Sequence, residues 1–224
     1  VMDNYGLISN IVTTFCNFIP YFINNKDIYP SIEKNIDILL EYCLQNSCDR
    51  LEEGLDIIEA ILKYGNTIPK HVWKFYVPLV ESVIGSEEEL EEFKKEFPNQ
   101  VFTGTGYESI LDVVKLVCNF IAKEPNTFIG LEVKKGVKYF DYAIKLIESI
   151  IAISESKSSY TEIKYSLRLI STLFDCYKGK IDMLLEQIIK YILIKYKNSN
   201  KNDMKKDLEN YLQNLLSICF IYDP

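Results

Sequence analysis

A chain of 224 residues that is 48% hydrophobic and 25% charged has the make-up of an ordinary globular protein, long enough to bury a substantial apolar core. Its formal charge of −7 disfavours phosphate-driven binding to DNA or RNA and suits basic protein partners. No uninterrupted apolar run approaches the roughly 18 residues that a bilayer span requires; the strongest candidate, Leu7 to Ile23, is broken by Ser9, Asn10, Thr13, Thr14, Asn17 and Pro20.

Apolar residues recur at helical spacing almost from end to end, with no stretch of strict alternation and no Asn-Gly hairpin signal. The first helix is expected from Asn4 to Asn24, with Leu7, Ile8, Ile11, Phe15, Phe18, Ile19 and Phe22 on one broad face and Pro20 bending or interrupting it. A partner runs from Ser31 to Gln45 through Ile32, Ile36, Leu39, Leu40 and Cys43. Asp49 and Glu52 resemble a capping box for Leu51 to Tyr64, which Gly65 terminates. The next helix spans Lys70 to Ile84, contains Pro78 and stops at Gly85.

Ser86 and Glu89 open a short acidic helix, Glu87 to Glu96, followed by a loop from Phe97 to Gly106. Residues 86–106 therefore read as an acidic helix and loop inserted between regular elements. Thr105 and Glu108 resemble another capping box, for Tyr107 to Lys123. Glu124 to Lys135 is an irregular connection before an amphipathic helix from Gly136 to Ser154, carrying Phe140, Ile144, Ile147, Ile150 and Ile151. Ser159 and Glu162 cap Ile163 to Tyr177, the turn Lys178-Gly179-Lys180 leads into Ile181 to Lys197, and a last helix runs from about Asp203 to Phe220.

Roughly nine helices joined by short turns, paired about every 40 residues, have the period of HEAT-type repeats. The expected fold is all-α: a HEAT-repeat α-solenoid of stacked antiparallel helix pairs, with residues 1–224 as one segment. Both terminal helices are too apolar for outer caps, so the segment is expected to come from a longer array. The start, Val1-Met2-Asp3-Asn4, lacks the basic stretch and cleavage site of a signal peptide, which points to an intracellular protein. Six cysteines (Cys16, Cys43, Cys48, Cys118, Cys176 and Cys219) show no CxxC spacing and read as small core residues, not as disulfides.

Three passages resemble the importin-β (karyopherin) superfamily, in particular the branch of importins seven and eight and their fungal relatives. They are Leu51-Glu52-Glu53-Gly54-Leu55-Asp56-Ile57-Ile58 followed by Ile68-Pro69-Lys70-His71-Val72-Trp73; Tyr139-Phe140 with the helix behind it; and Asp175-Cys176-Tyr177-Lys178-Gly179-Lys180-Ile181-Asp182. The resemblance implies an internal or C-terminal-half segment of a nuclear import receptor that shuttles between cytoplasm and nucleus. Such receptors carry basic cargo, are unloaded by the GTP-bound form of Ran and contact nucleoporins. The family's principal Ran-binding region lies in repeats with no match here, and Ser86 to Phe102 and Glu124 to Lys135 depart from the family pattern. The rival reading is a HEAT- or armadillo-like scaffold outside nuclear transport.

Enzyme chemistry has little to build on. His71 is the sole histidine and reads as a surface or interface residue. Trp73, three residues before Tyr76, reads as core before partner anchor. Gly104 and Gly106 precede a helix, but the word lacks the lysine of a phosphate loop and the third glycine of a dinucleotide motif. No catalytic residue, cofactor, metal, membrane or direct nucleic-acid contact is expected. The candidate contact for basic cargo is Glu87, Glu88, Glu89, Glu91 and Glu92, although carboxylates there also suit the exposed donors of a helix start. Lys195, Lys197, Lys201, Lys205 and Lys206 form an opposite, basic patch that reads as a solvated connection.

Overall fold

The computed structural model describes residues 4–156, 163–177 and 202–222, together with Glu186, Ile189, Lys190, Leu193, Ile194 and Lys197. These residues are helical almost throughout, so the fold class is all-α. They fall into two compact units, Val1–Tyr142 and Ala143–Pro224.

The first unit begins with α1 (Asn4–Phe22), α2 (Tyr29–Gln45) and α3 (Ser47–Tyr64). Pro20 sits inside α1, and the helix ends two residues beyond it, where little helix remains to disrupt. Asn46 alone separates α2 from α3, so the two fold back on each other as an antiparallel pair. They pack closely at Gly54, where an added Cβ would lie 3.1 Å from that of Cys43. Asp49 does not precede α3 as a cap; the helix starts earlier and Asp49 lies in its first turn.

The single helix expected from Lys70 to Ile84 is divided. Val72–Phe75 forms a 3₁₀ turn and α4 is Tyr76–Ile84. Pro78 is the third residue of α4, within the first turn, whose N–H groups lack helical acceptors anyway. The acidic helix α5 (Glu87–Glu96) has the expected limits, and its capping box is formed: Glu89 N donates to Ser86 Oγ at 3.2 Å and Ser86 N donates to Glu89 Oε2 at 2.8 Å. A 3₁₀ turn, Tyr107–Ser109, precedes α6 (Ile110–Lys123).

The connection after α6 holds more structure than its sequence announces. It contains α7 (Pro125–Gly130) and a small antiparallel ribbon, β1 (Glu132–Lys134) with β2 (Val137–Lys138). Its turn is Lys135-Gly136, and Gly136 takes a φ of 82°, a conformation that does the work expected of an Asn-Gly pair. The ribbon displaces the next helix, which starts at Tyr139 and not at Gly136: α8 is Tyr139–Ser156.

Helix α3 lies at the centre of the first unit, packed against α1, α2 and α6. It buries Leu51, Leu55, Ile57, Ile58, Ile61 and Leu62. Hydrogen bonds fix its direction relative to its neighbours. Ser9 Oγ reaches Glu53 at 2.7 Å and Asn24 Nδ2 reaches the Tyr64 carbonyl at 2.9 Å, so α1 and α3 run parallel. Lys115 Nζ meets Glu59 at 2.6 Å and Lys123 Nζ meets the Leu62 carbonyl at 2.7 Å, which sets α6 parallel to α3 as well. On the other side, α2 contacts α4 and its 3₁₀ turn. Five aromatic rings weld α4, α6, α7 and the first turn of α8: Tyr76 lies 5.6 Å from Phe120, 5.4 Å from Phe128 and 5.0 Å from Tyr139. Trp73 joins them at 5.1 Å from Phe120, as a core residue.

The apolar face of α1 is only partly covered: Val12 and Ile19 are buried, whereas Leu7, Ile11 and Phe18 remain exposed. In the second unit, α9 (Ile163–Cys176) packs against α10 (Asn202–Tyr222) through buried Leu169, Leu173, Tyr211 and Leu215. The hydroxyls of Ser166 and Tyr211 meet there at 3.0 Å. The expected turn at Lys178-Gly179-Lys180, the cap at Ser159 and Glu162, and most of Ile181 to Lys197 lie outside the described residues.

Candidate functional site

The five glutamates singled out on α5 are all exposed, but they do not all point to the same use. Glu89 is spent on the capping box, and Glu87 Oε2 accepts from Lys134 Nζ of β1 at 3.1 Å. Glu88, Glu91 and Glu92 complete an open acidic surface on a helix that buries none of its residues. Phe93 packs on Phe97 and Phe102 at 5.1 and 5.0 Å, which holds α5 to its own loop.

The loop carrying Gly104 and Gly106 is a backbone dock, not a phosphate cradle. Gly104 N donates to the Val83 carbonyl at 3.0 Å and Gly106 N to the Ser82 carbonyl at 2.8 Å, tying the loop to the end of α4. Any Cβ on Gly104 would run into the Ser82 carbonyl, and one on Gly85 into the Phe102 ring. The glycines serve close approach of chain to chain.

The same dock brings the start of α6 beside the start of α3 and opens a cleft of about 610 Å³. Asp49, Glu52, Glu53, Glu108 and Asp112 line it, against one cation, Arg50. Arg50 is only 4% exposed and its guanidinium donates to Glu53 at 2.9 Å. Partial burial raises the Glu53 carboxyl, but the hydrogen bonds from Ser9 and Arg50 outweigh it and hold the group below its ordinary range. Asp56, one turn further along α3, behaves oppositely. Partial burial and the neighbouring Glu59, Glu52, Glu53 and Asp112 carboxylates hold its carboxyl above the ordinary range. The cleft and Asp56 beside it are thus predominantly negative.

From that cleft a furrow follows α3 and α6. Glu52, Asp56, Glu59 and Lys63 recur every three or four residues along α3, as do Glu108, Asp112, Lys115, Asn119 and Lys123 toward and along α6. Each series therefore occupies one helix face. Glu59, Lys63, Asn119 and Lys123 line a second cleft of about 400 Å³ at the far end.

His71 belongs elsewhere, in a clasp between α2 and the 3₁₀ turn of the next element. Its Nε2 lies 2.6 Å from Tyr29 Oη and its Nδ1 lies 2.5 Å from Asp37 Oδ1. Lys74 Nζ bonds Asp37 Oδ2 at 2.6 Å and Glu41 at 3.1 Å. Partial burial raises the Asp37 carboxyl, but the Lys74 and His71 hydrogen bonds outweigh it and lower its value. Burial, then Glu33 and Asp37, push the Tyr29 phenol upward, the wrong direction for a nucleophile. The constellation joins helices and does not activate a reacting group. Burial likewise raises the Cys16 and Cys43 thiols to about 11, which leaves both inert. Among the described residues, no group of three or more histidine, cysteine, aspartate or glutamate side chains is placed to hold a metal ion, and no helix is long and apolar enough to cross a membrane.

The density of glutamates in the sequence points to α5 and not to the larger acidic surface. Its signal was present in the recurrence of Glu52, Asp56 and Glu59. The contribution of Glu108 and Asp112 was not legible, because a packing contact across some fifty residues of chain brings them there. No family model, curated protein or solved structure matches the chain.

Proposed function

We propose that this chain is a stretch of HEAT-type α-solenoid that binds basic segments of other proteins without catalysing a reaction, and that the carboxylate end of the α3–α6 furrow is the contact. Two features support the solenoid. Helices α1, α3 and α6 run parallel in one row, and each step along it is made by folding back through an element of a second row, α2 and then α4. Successive helix pairs of this kind build extended surfaces. The observation that carries the binding reading is the crowding of Glu52, Asp56 and Asp112, whose mutual repulsion a lysine- or arginine-rich segment would relieve.

The importin-β resemblance gives this reading a particular form. The chain would be part of a nuclear transport receptor that shuttles between cytoplasm and nucleus, with the furrow and the outlying glutamates of α5 contacting basic cargo, and with Ran and nucleoporins engaged by the whole receptor. The test has two arms. Fluorescence anisotropy of a labelled lysine-rich peptide should show saturable binding that weakens as salt rises from 50 to about 300 mM. Pull-down of GTP-bound Ran and phenylalanine-glycine nucleoporin repeats by the complete protein should succeed. Peptide binding with failure of both pull-downs would favour a scaffold outside nuclear transport; absence of peptide binding would refute the contact itself.

A further inference from the structure

The furrow between α3 and α6 changes sign along its length. On the acidic side stand Glu52 and, half-way along α3, Asp56, with Glu108 in the turn before α6 and Asp112 in the first turn of α6. At mid-length the Glu59–Lys115 ion pair, 2.6 Å long, is self-compensated. At the C-terminal ends the second cleft of about 400 Å³ is flanked by Lys63 and Lys123, with Asn119 between them; Glu59 is in its lining, while Glu124, just past α6, accepts from Ile68 N at 2.6 Å. Lys123 is fixed at this rim by donating to the Leu62 carbonyl at 2.7 Å, while Lys63 is exposed beside the Tyr64 ring, 5.0 Å from its centroid. Because α3 and α6 run parallel, the two ends with lysines coincide and the two ends with carboxylates coincide. Each series runs from carboxylates to lysine, and their parallel alignment keeps the two in step.

We infer that the furrow docks an extended partner segment of divided charge, with lysine or arginine side chains over Glu52, Asp56 and Asp112 and a carboxylate side chain over Lys63 and Lys123. This rests on the reading of the furrow as a contact for basic segments and adds a second, oppositely charged contact to it. The spacing follows from helix geometry. From Glu52 to Lys63 the helix advances roughly 16 Å at about 1.5 Å per residue, which an extended chain covers in about five residues. A segment basic along its whole length would lay its far half on two lysines, a repulsion that discriminates against it. The raised carboxyl of Asp56 agrees with carboxylates outnumbering the one cation, Arg50, at the acidic end.

The experiment compares three peptides of equal length on the 224-residue chain at low salt. One has three lysines and a neutral tail, the second has the same lysines followed after four neutral residues by two glutamates, and the third places the glutamates directly beside the lysines. The spaced peptide should bind about five- to tenfold tighter than the neutral-tailed one, and the adjacent one no tighter. Attraction to the overall charge of −7 predicts the reverse order, because the glutamates lower the peptide's positive charge. In Lys63→Glu the gain from the spaced glutamates should vanish while the neutral-tailed peptide binds at least as well as before. No gain in the native chain, or a gain that survives in Lys63→Glu, overturns the divided-charge contact and leaves the basic contact standing. Binding of the neutral-tailed peptide that is absent, or unaffected by Glu52→Gln with Asp56→Asn, overturns both.

Discussion

Asp37 on α2 and Asp56 on α3 are aspartates on adjoining helices, and their surroundings treat them in opposite ways. Asp37 is gripped by His71 and Lys74 from the following element, and its carboxyl is stabilised in the charged form. Asp56 looks out among Glu52, Glu59 and Asp112, and its charged form is disfavoured. The first carboxylate is satisfied within the fold and serves to join two helices. The second has no such grip, and its local cost is what the proposed contact with a basic segment would relieve. The two aspartates differ in the quality of their internal partners.

Stability should separate the two aspartates most clearly. Asp37→Ala removes the acceptor of both His71 and Lys74 and should lower the unfolding free energy by about 1–3 kcal/mol, measured by urea denaturation. Asp56→Asn should do the opposite, raising stability at neutral pH by up to about 1 kcal/mol because it removes repulsion at a partly exposed site. A loss of stability in Asp56→Asn would place that residue in the structural class with Asp37.

The pH dependence sharpens the contrast. Asp37 has a lowered folded value, so its contribution is present above the unfolded carboxyl value of about 4 and is lost as pH falls through the folded value. Asp56 has a raised folded value, so its cost is present at neutral pH and is relieved as pH falls and the group takes up a proton. The stabilisation in Asp56→Asn should therefore shrink toward zero by about pH 3, whereas the penalty in Asp37→Asn should shrink only below about pH 4. Denaturation midpoints at pH 3, 5 and 7 for both variants test the two signs together.

The smallest effect is expected on α5. Changing Glu88, Glu91 and Glu92 to glutamine touches neither the capping box nor the Lys134 pair, and should leave the denaturation midpoint unchanged. Its effect should be confined to a modestly slower association of basic peptides at low salt, fading as salt rises. Stopped-flow association rates check this; a loss larger than that caused by furrow substitutions would return α5 to the leading place.

Local signals were legible in the sequence and distant ones were not. The capping box of Ser86 and Glu89, the limits of α5 and the core role of Trp73 follow from residues within one or two turns. The ribbon at Glu132–Lys138 escaped because its strands are too short to show alternation, and its turn glycine follows a lysine where asparagine is usual. The break at Phe75 escaped because Pro78 is equally compatible with a kink and with a helix start. The α3–α6 furrow escaped for a different reason: each helix shows its charged stripe, but nothing local says that α6 lies parallel to α3 with carboxylates facing carboxylates. That depends on Gly104 and Gly106 docking on the end of α4, a tertiary contact.

That the furrow binds while the clasp only holds is open to direct measurement. It is tested by the affinity of one lysine-rich peptide for three proteins at 50 mM salt: the native chain, the furrow variant Glu52→Gln with Asp56→Asn and Asp112→Asn, and the clasp variant Asp37→Asn. The furrow variant should lose about tenfold or more in affinity while being as stable as the native chain or more so. The clasp variant should be less stable yet, below its unfolding transition, bind within about twofold of the native chain. Equal affinity in all three proteins, or losses of affinity that follow losses of stability, would contradict the account.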